Sequence, residues 1–208
     1  MLEISQVRYA YEDQQPIDFP SFQLDYREPG LLLGNSGSGK TTLLHLIGGL
    51  LALQGGEVNI SGTFLSKLST RQLVRFRGKH IGFIFQKPHL VQSISVLDNV
   101  LLAQSCAGVA ASKSQARKVL SELDLSKMEH KMPSALSQGQ QQRVAVARAL
   151  VNDPKLILAD EPTASLDDAN TSKVLDMLVE KSTAHNANLI IATHDHRVKD
   201  RIKKQIEL

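Results

Sequence analysis

Short apolar runs bounded by turn residues recur along the chain, and each has the length of a buried strand. They fall at Leu31–Leu33, Ile81–Phe85, Leu156–Ala159 and Leu189–Ala192. Continuous Leu/Ile/Val runs of this kind predict parallel strands covered on both faces. The first stretch is patterned differently. Leu2, Ile4, Val7, Tyr9 and Tyr11, then Phe19, Phe22 and Leu24, are spaced for half-buried antiparallel strands, and Val58–Ile60 after Gly55-Gly56 extends them. Helical periodicity appears at Lys40–Leu50, Val96–Ala107 and Lys113–Leu123. It appears again at Asp168–Ala184, where Val174, Leu175, Leu178 and Val179 share one face. Strands alternating with helices predict an α/β domain around a mostly parallel sheet, with an antiparallel β subdomain at the N-terminus. Strand signals vanish between Lys87 and Leu136, so residues 87–136 read as a helical subdomain inserted into a core of 1–86 and 137–208.

Composition changes this picture little. The 208 residues carry 24 basic and 21 acidic side chains, a balance that gives no footprint for nucleic acid. The basic tail (Arg197, Lys199, Arg201, Lys203, Lys204) reads as a solvated helix face. Cys106 is the single cysteine, so no internal disulfide can form; its apolar neighbours predict a small buried hydrophobe. No apolar run approaches the roughly 18 residues of a membrane-spanning helix. A membrane role would therefore need another chain to cross the bilayer.

Chemistry enters at Gly34, Asn35, Ser36, Gly37, Ser38, Gly39, Lys40 and Thr41, which match G-x-x-x-x-G-K-[ST] between a strand and a helix. Gly37 and Gly39 let backbone N–H groups curl around a triphosphate, and the helix N-terminus adds positive potential. Lys40 is placed to reach the β- and γ-phosphates, the Thr41 hydroxyl to ligate Mg²⁺, and Thr42 follows in the same turn. By itself this loop does not separate a kinase, a GTPase or a motor. The apolar run Leu156–Ala159 ends in Asp160 and Glu161, where a carboxylate can hold Mg²⁺ through water beside the loop. Glu161 is then the candidate general base for the attacking water. His194, at the end of Leu189–Ala192, sits at the mouth where open α/β sheets bind ligands and can contact the γ-phosphate. The neighbouring Asp195 and His196 point in diverging directions, which argues against a metal site there.

Residues 136–150, LSQGQQQRVAVARAL, are the discriminating segment. Ser137 with Gln140 three residues later is a capping box, so Ser137 starts a helix whose N-terminus is ready to receive phosphate. The segment resembles the signature of the ABC ATPases. That resemblance implies a P-loop fold in which two cassettes pack head to tail, each signature (Ser137, Gln138, Gly139, Gln140) closing on ATP held by the other. The family pattern has Gly where this chain has Gln138. The resemblance also identifies Gln86 as the glutamine that touches Mg²⁺ and leads into the helical subdomain. By the same likeness Ser165-Leu166-Asp167 is the dimer-contacting loop, with Asp167 its contact, and His194 is the switch histidine. Tyr11 resembles the aromatic that stacks on adenine, with Tyr9 close enough to compete. It implies ATP hydrolysis with Mg²⁺, a second ATPase subunit (a homodimer in the simplest case), an integral-membrane permease and a place on the cytoplasmic face of the plasma membrane.

Within the family, SGSGKTTLLHLIGGL, FRGKHIGFIFQKPHLVQSISVLDNVLL and ATHDHRV are most similar to the lipoprotein-release and macrolide-export group. A soluble ABC ATPase of DNA repair or translation is the alternative, but such chains carry long coiled coils or two cassettes. A module that holds ATP without hydrolysing it is a third reading, and Glu161 with His194 speaks against it.

Overall fold

A computed structural model of the chain describes residues 1–12, 14–163, 168–194 and 196–208. In chain order its elements are β1 (Leu2–Tyr9), β2 (Ile17–Asp18), β3 (Phe22–Leu24), β4 (Pro29–Leu33), α1 (Lys40–Ile47), β5 (Gly55–Ile60) and β6 (Thr63–Phe64). Next come α2 (Thr70–His80), β7 (Ile81–Ile84), α3 (Val96–Cys106), α4 (Lys113–Glu122) and α5 (Gln138–Leu150). The chain closes with β8 (Leu156–Asp160), α6 (Asp168–Ala184), β9 (Asn188–Ala192), α7 (His196–Lys199) and β10 (Lys204–Glu207).

The apolar runs form a parallel sheet in the order β10-β4-β9-β8-β7. Side chains alternate between its faces, as strand geometry requires. Leu31, Leu33, Ile157, Ala159, Leu189 and Ile191 face a core shared with α3, α4, α5 and α6. Leu32, Leu156, Leu158, Ile190 and Ala192 face a second core shared with α1 and the N-terminal strands. Those strands form the expected antiparallel sheet, β2-β1-β5-β6, with β3 also on β1. Register carries the functional consequence. Leu32 of β4 and Asp160 of β8 both pair with Ala192 of β9, so the C-terminal ends of three strands are level.

Serine caps organise the helices of the second half. Ser95 accepts from the Asp98 amide and Ser112 from the Gln115 amide. Ser137 and Gln140 form the reciprocal box that the sequence predicts. Asn99, buried at the base of α3, accepts from the Val91 amide and donates to the Val91, Ile94 and Ser95 carbonyls. It thereby fixes the loop leading away from β7.

Three expectations are corrected. Cys106 is exposed. At its C-terminal end the buried face of α3 runs through Val100, Gln104 and Ala107, and at about 100° per residue Cys106 falls to the side of all three. The basic tail is not one helix face. Arg201 through Lys203 lie beyond the short α7, and Lys204 begins β10, an edge strand parallel to β4 that buries Ile206 between exposed neighbours. The helix after the glycine loop ends at Ile47, three residues earlier than predicted. Gly49 there adopts φ 63°, and a Cβ on Gly48 would overlap the Phe83 ring. The helix α2 lies outside the predicted elements; its capping box, Ser69 with Gln72, and the Leu73/Phe76 pair that packs on the second core mark it in the sequence.

Candidate active site

The level strand ends bring the glycine loop, Gln86, Asp160, Glu161 and His194 to the lining of one cleft of about 960 Å³. Gly37 (φ 83°) and Gly39 (φ 97°) take left-handed backbone that residues with a Cβ resist, and a Cβ on Gly39 would press the Phe19 ring. Gly39 occupies the N-cap of α1 without any side-chain cap, which leaves the first backbone N–H groups of that helix open to an anion. Lys40 is buried, and its Nζ donates to the carbonyls of Gly34 (2.8 Å) and Asn35 (2.9 Å), closing the loop around the ammonium. Its charge can then act on phosphate oxygens held by the loop.

Thr41 Oγ1 donates to Asp160 Oδ2 at 2.8 Å, while Asp160 Oδ1 is buried with no partner. A carboxylate oxygen in that state is a ligand position waiting for a cation. With Thr41 Oγ1 and the Gln86 amide beside it in the cleft, the donor set is all oxygen, which suits a hard ion such as Mg²⁺. Burial pushes the Asp160 carboxyl above the usual range. The Thr41 hydrogen bond opposes that, Glu161 reinforces it, and His45 and Lys40 oppose it more weakly.

A carboxyl raised by burial stabilises the fold only below the ordinary aspartate range, and that contribution is lost as pH rises through its folded value. Ionised Asp160 therefore costs the nucleotide-free chain stability at neutral pH. Asp160→Asn is expected to raise the neutral-pH melting midpoint by no more than about 2–4 °C, the shift 1 kcal/mol gives at this size. The gain should vanish toward acidic pH, while hydrolysis with Mg²⁺ is lost. Melts across pH without nucleotide check this, and a variant less stable at neutral pH would contradict it.

Glu161 follows in left-handed backbone (φ 47°), a conformation costing a non-glycine residue on the order of 1 kcal/mol. Its amide donates to the Ala192 carbonyl, and the turn lays its side chain across the end of β9. Oε2 accepts from Thr193 Oγ1 (2.8 Å), and Oε1 accepts from the His194 amide (3.1 Å) and meets His194 Nδ1 at 2.7 Å. A carboxylate at Nδ1 requires Nδ1 to carry the proton, leaving the exposed Nε2 for another partner. Gln86, just beyond β7, is exposed and hydrogen-bonds no other described residue, so its amide is free to turn toward a ligand. Tyr11 stands on the rim, 40% exposed, with its hydroxyl 3.0 Å from Thr42 Oγ1 and its ring edge-on to Tyr9.

Ser137, Gln138, Gly139 and Gln140 do not line this cleft. They begin α5 with Ser137 and Gln138 exposed and open space beyond Gly139. The loop Ser165-Leu166-Asp167, and with it the expected dimer contact Asp167, lies outside the described residues. Thr193 and Glu207 line the cleft without having been singled out in the sequence, and Lys199, read there as part of a solvated basic tail, lines it too. Thr193 was readable as the residue before His194; Lys199 and Glu207 reach the cleft only through the placement of α7 and β10. Arg148 was also silent. From α5 its guanidinium donates to the Pro88 and His89 carbonyls, each at 2.8 Å, and ties the helix that begins at Ser137 to the loop that follows Gln86. Burial pulls its pKa down.

A glycine loop, an open helix N-terminus and a carboxylate pair at level strand ends define a nucleoside triphosphatase of the P-loop class. The ABC transporter family profile matches residues 18–164. The lipoprotein-releasing system ATP-binding protein LolD of Xanthomonas axonopodis pv. citri is 42% identical over 180 residues, 85% of this chain and 73% of that protein. LolD of Buchnera aphidicola subsp. Acyrthosiphon pisum is 40% identical over 177 residues, 84% and 78% of the two chains. Among solved structures, the dimeric post-hydrolysis state of the ATP-binding cassette MJ0796 bound to ADP and Pi superposes with a TM-score of 0.87. It is 32% identical and covers 100% of this chain and 94% of its own. CbiO1 of Clostridium perfringens, part of the ABC transporter complex cbiONQ, gives 0.82 at 28% identity, covering 93% and 78%. The chain belongs to the ABC transporter family and is an ATP-binding, ATP-hydrolysing transporter subunit.

Proposed function

We propose that this subunit works as a head-to-tail pair on the cytoplasmic face of the plasma membrane, driving a separate permease in lipoprotein release or a related export. The observation that carries the two-chain reading is the position of Ser137–Gln140, capped as a helix start yet absent from the chain's own cleft. The dimeric, ADP- and Pi-bound relative supports it, and the LolD relatives support the lipoprotein reading. No helix among the described residues is long and apolar enough to cross a membrane, so the permease is another chain in this scheme. Residues 87–136 act as the helical subdomain and 1–86 with 137–208 as the core, joined by Arg148 across the Gln86 loop.

In the cleft, backbone N–H groups of Gly34–Thr41 and the N-terminus of α1 bind the phosphates, and Lys40 neutralises their charge. Thr41, Asp160 and Gln86 would hold Mg²⁺, which supplies charge compensation on the phosphate oxygens when bound. Tyr11 offers its ring to the adenine. Glu161 accepts the proton of the attacking water, and His194, oriented through Nδ1 by the same carboxylate, turns Nε2 toward the γ-phosphate and donates to it when the imidazole carries a proton on both nitrogens. Ser137 keeps its hydroxyl proton after capping, because the cap uses its oxygen as acceptor. That O–H and the N-terminus of α5 are what one cassette gives to its partner's nucleotide, with Asp167 contributing to the dimer contact.

The test is purification of the tagged chain from membranes in mild detergent. A multispanning partner should co-purify, and ATPase activity should rise with it. Quantitative recovery in the soluble fraction without such a partner would overturn the permease reading.

A further inference from the structure

A second cavity, of about 540 Å³, opens at the other end of the parallel sheet, away from the nucleotide cleft. Lys155 immediately precedes β8 and His80 immediately precedes β7, so the cavity sits at the N-terminal ends of strands whose C-terminal ends carry the active site. Its roof comes from the end of α3 and the start of α4, and Val109, Ala110 and Val151 add an apolar wall.

Four observations favour an anion in this cavity. Lys79 and Lys155 border it, and neither forms an ion pair with another described residue. Gln104, only 3% exposed, uses Oε1 to accept from the Ser112 amide, while its Nε2 donates to no described residue. The N-terminus of α4, a ten-residue helix, borders the cavity through Ser112 and Gln115; their amides are taken by Gln104 Oε1 and Ser112 Oγ, so this end lends its positive potential rather than free N–H groups. The one carboxylate at the rim, Asp153, is already engaged by Gln115 Nε2 (3.1 Å) and His185 Nδ1 (2.9 Å). The lysines are not needed to cap α2 and α3, because Asn152 Nδ2 covers the Gly78 and Ala103 carbonyls at their ends. The cavity thus sets two lysine charges against one carboxylate and adds the free Gln104 Nε2; the buried, unpartnered Asn152 Oδ1 is an acceptor in its lining that opposes an anion. Burial, then Lys155 and Lys79, depress the His80 imidazole, so the ring feels that field.

We propose that this cavity binds a phosphate group, as a phosphate monoester or inorganic phosphate, on Gln104 Nε2, Lys79 and Lys155 at the N-terminus of α4. The volume suits a small organic phosphate, with the apolar wall taking its organic part. The ligand would brace the end of α5 opposite Ser137, since Val151 and Asn152 follow that helix directly.

The experiment is histidine-selective NMR on the full chain saturated with ADP, titrated with inorganic phosphate against chloride at equal ionic strength. ADP occupies the glycine loop, and separate His80 and His194 signals tell the two sites apart. The His80 resonances should shift saturably and its titration midpoint should rise, because an anion favours the imidazolium. The double variant Lys79→Gln/Lys155→Gln should weaken that response at least about tenfold, with basal ATPase unchanged. Glycerol 3-phosphate and phosphatidate vesicles, run in parallel, distinguish a soluble ester from a lipid headgroup. A His80 that does not move saturably with any of these probes overturns the site. So does a double variant that responds like the parent.

Discussion

Glu161→Gln is expected to bind ATP as tightly as the parent and hydrolyse it at least about a hundredfold more slowly, the lower bound for removing a positioned general base. The fold tolerates the change. An amide Nε2 can donate to Thr193 Oγ1 while Oε1 still accepts from the His194 amide, so the contacts at 2.8 Å and 3.1 Å survive in altered polarity. What is lost is basicity beside the γ-phosphate. ATP should then accumulate in a long-lived dimer, visible by gel filtration with radiolabelled nucleotide. Hydrolysis at the parental rate would remove Glu161 as the base.

Ser137→Arg is expected to leave ATP binding by the isolated chain unchanged and to cut turnover by a hundredfold or more, roughly what losing a preorganised donor to phosphate costs. The substitution removes a cap, at about 1 kcal/mol, which the rest of α5 can carry because Val144, Ala145, Val146 and Ala147 are fully buried. The side chain does not line its own cleft, so the defect must appear in a neighbour's site. Nucleotide titration of dilute protein, beside ATPase assays at high concentration, separates the two effects. Loss of binding in the dilute chain would contradict the two-chain site.

Much of this was legible in the residues themselves, for identifiable reasons. Buried parallel strands must be apolar throughout, so Leu31–Leu33, Ile81–Phe85, Leu156–Ala159 and Leu189–Ala192 mark all but one strand of the parallel sheet to within a residue or two. β10 escaped because an edge strand with one buried position, Ile206, reads as a polar tail. α2 escaped because its apolar stripe is short: Leu73 and Phe76 pack on the core, but no residue of the helix is fully buried. Within the cleft, Gly34–Thr41, Asp160, Glu161 and His194 were readable because their chemistry demands particular residues at strand ends. The links between them were not. The Thr41–Asp160 and Thr193–Glu161 contacts join residues far apart in the chain and depend on the register that levels β4, β8 and β9. Arg148 likewise has no motif; its partners are backbone carbonyls, which any sequence supplies.

The central claim is that each ATP site takes its glycine loop from one chain and its Ser137 helix from another. It is tested most directly by mixing two inactive variants, Lys40→Ala and Ser137→Arg. In a head-to-tail mixed dimer one site combines both lesions and the other has an intact Lys40 and an intact Ser137. An equimolar mixture should regain up to about a quarter of parental ATPase, since about half the dimers are mixed and each holds one good site of two. If each chain instead built a complete site from its own residues, no mixture could contain an intact one, and activity would stay at the level of the separate variants.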